Sequence, residues 1–285
     1  MTVGTVPAPR RRGRLGPGGG GWTLVVPLVL FLGVFFLYPL VQMARESASG
    51  GLATYEAIMT SPVYRKVFAN TLTIAGATTL LCLVLAYPYA YVMNKVSPRL
   101  RLALMAFVLL PFWASLLVRS FAWIALLQDS GLINQALQGL GITDDPVSLI
   151  RTTPGVLIGM VHIMLPYMVL PLYTAMARVD GRLLLAASSL GATPWRRFVR
   201  VFLPLTLPGL AAGCLLVFTI SLGFYITPAL LGAPSQAMLG EVIAEQVEQF
   251  GLTTASALGI VLLTGTLIIL MVVALFAKRL GRASR

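Results

Sequence analysis

Six stretches of this chain contain no charged residue: 15–44, 67–94, 102–118, 152–177, 201–240 and 249–277. A helix that crosses the hydrocarbon core of a bilayer needs roughly 20 apolar residues. Five of the stretches reach that length outright, and the third reaches it if it tolerates Arg119 and continues to Leu127. No water is available there to backbone amides, so such a segment must close its own hydrogen bonds as a helix. The expected fold is an all-α membrane protein with six transmembrane helices, near 22–43, 68–93, 102–127, 154–176, 207–230 and 253–277. A soluble fold would need six buried helices almost without polar faces, and only 11% of the residues are charged, against about 25% in soluble domains.

A net charge of +12 suggests nucleic acid until its distribution is read. With the N-terminus inside, the inner segments hold sixteen of the twenty-one basic residues and the outer segments eight of the nine acids. This is the positive-inside bias, and it predicts an N-in/C-in topology with no nucleic-acid partner. Residues 1–21, rich in Arg, Gly and Pro, read as a disordered basic cytoplasmic tail. Residues 22–280 then form the membrane domain, and 281–285 a short cytoplasmic tail. Cys82 and Cys214 fall inside predicted spans, where a thiol is a small apolar group and implies no disulfide framework.

Several positions within and between the spans carry more than hydrophobicity. The run Tyr87-Pro88-Tyr89-Ala90-Tyr91 reads as an interfacial aromatic belt with a proline kink, or as a mobile pathway helix. Arg119 in the third span either snorkels, pairs with a carbonyl or Asp129, or serves as a pathway or gate residue. His162, the only histidine, and Tyr167 lie in the fourth span. One histidine cannot build a metal site, so His162 reads as a hydrogen-bonded structural residue or a pathway one. Residues 235–250 read as an outer amphipathic helix. Glu241, Glu245 and Glu248 share one face, and Leu239, Ile243, Val247 and Phe250 the opposite one. That acidic face is either solvated or meets a cation or an external partner. A short helix is expected near 52–60.

The catalytic inventory is thin. The chain has no Gly-x-x-x-x-Gly-Lys-[Ser/Thr] phosphate loop, no nucleophile elbow and no ligand cluster, so no enzyme and no cofactor or metal site is expected. The predicted spans contain no acid, whereas ion-coupled carriers commonly place acids in the membrane. Energy for any transport would come from elsewhere.

The one long hydrophilic interruption, 177–206, carries five arginines, at 178, 182, 196, 197 and 200, against one acid. Asp180 is placed to cap a short helix over 183–190 that Gly191 ends. Thr193 caps a second start with Pro194 at its first position. The result is a helix–turn–helix elbow on the inner surface.

Leu185-Ala186-Ala187, Gly191, then Val201-Phe202-Leu203-Pro204 has the spacing of the EAA loop of ABC importer permeases. The surrounding Leu190-Gly-Ala-Thr-Pro-Trp195 run resembles the spermidine/putrescine branch of that family. Leu110-Pro-Phe-Trp113, Arg119-Ser-Phe-Ala-Trp123 and Ile226-Thr-Pro-Ala-Leu-Leu-Gly232 do so too. The resemblance covers about 22–280 and implies a type I ABC importer transmembrane domain. In that family the loop docks on a cytoplasmic ATPase, which implies that Asp180, Leu185, Ala186, Ala187, Gly191, Val201, Leu203 and Pro204 form an ATPase-coupling loop. Further implications are a second, homologous permease, two ATPase subunits that bind ATP-Mg, an extracytoplasmic solute-binding protein, and a multi-pass location in a bacterial inner membrane. Leu185 stands where the motif has Glu, so docking without a salt bridge is expected there. A polyamine such as spermidine or putrescine is the implied solute. A sugar, an opine-like compound or an iron complex, or a membrane scaffold or sensor without transport, remain open.

Overall fold

The computed structural model describes residues 20–249 and 251–283. The tail expected over 1–21, apart from its last two residues, lies outside the described residues, as do Phe250 and residues 284–285. Thirteen α-helices and no strand occur among the described residues. They are α1 (Gly20–Ser49), α2 (Gly51–Thr60), α3 (Pro62–Lys95), α4 (Pro98–Leu109), α5 (Leu116–Leu127), α6 (Leu132–Gly139), α7 (Thr153–Ala177), α8 (Gly181–Ser189), α9 (Pro194–Arg197), α10 (Leu203–Leu222), α11 (Ile226–Leu231), α12 (Leu239–Gln249) and α13 (Leu252–Ala283). α2 fulfils the short helix expected near 52–60. α13 runs through residues 281–283.

The core is α7 held between α3 and α10. Met160, Met164, Met168, Leu172 and Met176 recur every fourth residue on α7 and are fully buried, which is the spacing that keeps side chains on one helix face. Unbranched methionines fill irregular gaps between helices. α10 approaches closely because Gly209 and Gly213 present no Cβ. A Cβ on Gly209 would fall on Ala175 and 2.7 Å from the Pro171 carbonyl oxygen. Small residues at such crossings let backbones meet where lipid supplies no hydrophobic drive. α1 packs chiefly along α13, at the edge of this core.

Length and apolarity mark six candidate membrane helices, the third at Leu116–Gly139. Phe112 meets Tyr167 and Trp123 meets His162, so the run from 112 to 123 passes antiparallel to residues 162–167 of α7. The segment expected to cross at 102–127 is not one continuous helix. It consists of two half-helices, α4 and α5, separated by a 3-10 turn at Leu110–Trp113 and by extended Ala114 and Ser115. Pro111 has no N–H to offer the carbonyl four residues back, and α4 ends there.

The fifth crossing is also interrupted. α10 ends at Leu222, the chain bends through Gly223–Tyr225, and α11 turns back against α5 and α7. Thr227 and Leu231 of α11 sit over Gly159, where a Cβ would come within 2.8 and 2.6 Å of them. The Thr227 hydroxyl shares a hydrogen bond of 3.2 Å with buried Ser120 of α5. On the same side of the molecule, fully buried Asn134 of α6 donates to the carbonyls of Gln128 and Val147 and accepts from Val147 N–H. One amide thereby organises the 128–151 loop.

Candidate functional site

The elbow forms from local chemistry. Asp180 Oδ1 accepts the Arg182 N–H at 2.9 Å and starts α8. Gly191 adopts φ +80°, a region that glycine enters without a Cβ penalty. There the N–H of Ala192 bonds Ala187 O at 3.0 Å and that of Gly191 bonds Ser188 O at 2.9 Å. These paired bonds are the Schellman ending of a helix. Thr193 Oγ1 then accepts the Arg196 N–H at 3.4 Å, with Pro194 leading α9. Arg197 Nη1 ties the two helices by donating to Ser188 Oγ at 2.7 Å.

The eight residues of the expected coupling loop divide into two groups. Asp180, Leu185, Ala186, Ala187 and Gly191 belong to the elbow. Val201, Leu203 and Pro204 form the joint between elbow and membrane helix. The joint is a π-turn over Phe198–Phe202, in which the Leu203 N–H reaches back five residues to Phe198 O. Pro204 explains it, because its ring nitrogen cannot donate to the carbonyl of Arg200 and the ladder shifts by one. On the elbow's outer face Leu185 is 67% exposed, Leu190 88% and Trp195 71%, so the position of the motif's Glu contributes apolar surface.

Phe198, not singled out from the sequence, holds this elbow together with rings of the 87–91 run. Phe198 stands edge-on to Tyr87 and Tyr91 of α3, each with 6.0 Å between ring centroids, and Phe202 edge-on to Tyr91 at 5.4 Å. Tyr87 also shares a hydrogen bond of 3.1 Å with Thr206, and Lys95 Nζ lies 5.6 Å from the Tyr91 ring centre. A cavity of about 140 Å³ remains between them, lined by Lys95, Leu184, Pro194 and Arg197 among others. The available signal was the fourfold spacing in both pairs, Tyr87/Tyr91 and Phe198/Phe202. In the 87–91 run Tyr87 and Tyr91 pack on the elbow, Tyr89 donates to Leu104 O at 2.8 Å, and α3 continues through Pro88.

The pathway candidates lie along α5 and α7. His162 Nδ1 accepts the Trp123 Nε1–H at 3.1 Å, the hydrogen-bonded state expected of a structural histidine. Arg119, four residues before Trp123 on α5, faces the same seam. Its Nε is buried and neither a carbonyl nor Asp129 receives it among the described residues. Tyr167 packs on Phe112 with ring centres 5.3 Å apart, at the break between α4 and α5. The structure thus joins His162 to Trp123 and Tyr167 to Phe112.

The acidic face departs from expectation. Thr71 Oγ1 accepts the Leu239 N–H at 2.8 Å, and Asn70 Nδ2 donates to the carbonyls of Ser235 and Ala237. α12 is thereby docked by its first turn between α3 and α13. Leu239 is buried, but so in part is Glu241, which shares a cavity of about 680 Å³ with Tyr64 and Glu245. Burial pushes the Glu241 carboxyl above the usual glutamate range; the Met238 backbone N–H opposes this and Glu245 adds to it. Glu245 and Glu248 are exposed, and so is Val247 on the supposedly apolar face.

A family model described as "Binding-protein-dependent transport system inner membrane component" matches residues 82–282. The chain is 34% identical over 255 residues to the spermidine/putrescine transport system permease protein PotB of Escherichia coli (strain K12), covering 85% of this chain and 90% of that one. It is 41% identical over 186 residues to PotB of Haemophilus influenzae, a match spanning 65% of each chain. A solved bacterial alginate ABC transporter in complex with alginate pentasaccharide-bound periplasmic protein has a chain that superposes with a TM-score of 0.76 at 20% identity, over 91% of this chain and 94% of that one. This last likeness is one of fold, that of an ABC importer transmembrane domain. The chain belongs to the family of binding-protein-dependent transport system inner membrane components, and it is a multi-pass permease subunit of an ABC transporter, not an enzyme.

Proposed function

We propose that this chain forms half of the translocation pathway of an ATP-driven importer for a polyamine such as spermidine or putrescine. Both termini and the α8–α9 elbow lie in the cytoplasm, where the basic residues concentrate. A second, homologous permease supplies the other half of the pathway. Two ATPase subunits bind ATP-Mg below, and a solute-binding protein delivers the polyamine from outside. The polyamine assignment is supported by the identity to the PotB proteins over most of the chain.

The observation that carries the coupling role is the elbow itself. Two capped short helices hold Leu185, Leu190 and Trp195 outward, beside the loop arginines, on a surface that no other described residue covers. Clustered exposed apolar side chains with a polar rim mark a protein contact. Leu185 makes that contact apolar, without a carboxylate pairing at its centre. Closure of the ATPases moves the elbow, and the joint at Phe198–Phe202 passes the movement to α10 and, through Tyr87 and Tyr91, to α3.

The test is co-expression with the partner subunits, followed by affinity isolation and uptake of labelled spermidine into proteoliposomes. Co-isolation of an ATPase and ATP-dependent uptake are expected. An isolated chain that never retains an ATPase, together with unchanged cellular spermidine uptake after its deletion, overturns the proposal.

A further inference from the structure

Residues 110–115 interrupt the third crossing near its middle. They lie eight to thirteen residues beyond Leu102, where the charge-free stretch begins. At about 1.5 Å per residue that is roughly 12–20 Å into a core of about 30 Å. α7 is a second ruler: Tyr167, against which Phe112 packs, stands near the middle of that 25-residue helix. The carbonyls of Phe112 and Trp113 receive no hydrogen bond from the described residues. The first N–H groups of α5, at Leu116, Leu117 and Val118, find no acceptor there, and Ser115 does not cap them. Trp113 is 81% exposed, and Phe112, Ala114 and Ser115 are exposed beside it, so the described residues do not cover the notch.

Unpaired backbone groups at membrane depth are tolerated only where they meet protein or water, never lipid. That turns the notch away from hydrocarbon and onto the pathway side of the subunit. The six charge-free stretches carry no acid with which to meet a cation, yet oxygen dipoles and aromatic faces can replace part of the hydration of an ammonium group. We propose that 110–115 lines the water-filled pathway at mid-depth and forms a transit subsite for an organic ammonium group, built from the Phe112 and Trp113 carbonyls and the rings of Phe112, Trp113 and Tyr167. The nearby N–H groups and Arg119 carry positive charge and keep the ion's stay short, as conduction requires. The ligand class rests on the polyamine reading above; the water-lined notch does not.

The experiment uses the assembled transporter in liposomes, with Cys82→Ala and Cys214→Ala as background. Trp113→Cys and Ser115→Cys are exposed to a charged methanethiosulfonate reagent, which reacts with thiolates in water, and Phe35→Cys on the outer face of α1 serves as the lipid control. Positions 113 and 115 are expected to label rapidly and position 35 slowly, with saturating spermidine slowing position 115, where Trp113 is intact, about five-fold, the size of one cation–π contact. Trp113→Leu is expected to lower spermidine uptake by a similar factor while Trp113→Phe retains it. Labelling at 113 and 115 as slow as at 35 overturns the notch. Rapid labelling without protection, in a transporter whose parent takes up spermidine, overturns the subsite. A parent that takes up no spermidine refutes the polyamine reading and with it the ammonium ligand, and the labelling rates then decide the notch alone.

Discussion

Replacing Phe198 by Ala should disconnect the elbow from the membrane helices without unfolding either. The ring has four aromatic neighbours, but Trp195 and Phe202 belong to its own segment and move with it. Only the edge-on contacts to Tyr87 and Tyr91 cross from the elbow to α3. Such pairs contribute about 0.5–1.5 kcal/mol each beyond their area, and burial of a half-buried ring adds about 1 kcal/mol. Truncation therefore removes roughly 2–4 kcal/mol from the seated elbow, a shift of about 30- to several-hundred-fold between seated and unseated forms. In reconstituted transporter, spermidine taken up per ATP hydrolysed should fall more than about ten-fold, while ATP hydrolysis and co-isolation of the ATPase persist. Phe198→Tyr should keep most of the coupling. Tyr91→Phe should be silent, because the Tyr91 hydroxyl enters no hydrogen bond among the described residues and the ring is what packs. Unaltered uptake per ATP in Phe198→Ala would refute the argument that Phe198 anchors the elbow, the Phe202–Tyr91 pair then sufficing.

Three further outcomes follow from single sites. A Cβ on Gly191 meets nothing within 4 Å, so Gly191→Ala should cost only the left-handed backbone penalty of about 1–2 kcal/mol and Gly191→Asn less. Gly191→Arg pays the same backbone penalty, adds bulk on the docking face and should abolish co-isolation of the ATPase at the thermal stability of Gly191→Ala; intact co-isolation would place docking elsewhere. Gly209→Ala drives a methyl into Ala175 and the Pro171 carbonyl, both fixed in α7, and should lower the thermal midpoint in detergent by an overpacking cost of about 1–3 kcal/mol; an unchanged midpoint would show that α10 can move away freely. Glu241 binds its proton more tightly folded than unfolded. Its favourable contribution is therefore complete below the unfolded value, about 4.3, and is lost as pH rises through the raised folded value. Glu241→Gln should accordingly be more stable than the parent at neutral pH, with the gap closing as pH falls toward 5. A gap independent of pH would mean that burial does not shift this carboxyl.

The elbow was legible almost residue by residue because caps act over three or four positions. Asp180, Thr193, Pro194 and Gly191 each determine their own turn, and no distant contact overrides them. The acidic helix was legible only in part: its period separates glutamates from aliphatic residues, but Asn70 and Thr71, about 165 residues away, decide that its first turn is clamped and Glu241 half-buried. The aromatic anchor of the elbow shows the same limit, since each pair of rings is visible in the sequence and their meeting is not.

What the sequence alone determined is the number of crossings, their order, the elbow and the absence of acids from the membrane, because each follows from local composition or from a solvent that cannot hydrogen-bond the backbone. What only the tertiary structure decided is which prolines break their helices. Pro88, Pro166 and Pro171 all lie inside continuous α3 and α7, where neighbouring helices hold the backbone on course despite a missing N–H. Pro111 has the same local chemistry, but the other described residues leave its segment uncovered, so there the helix comes apart.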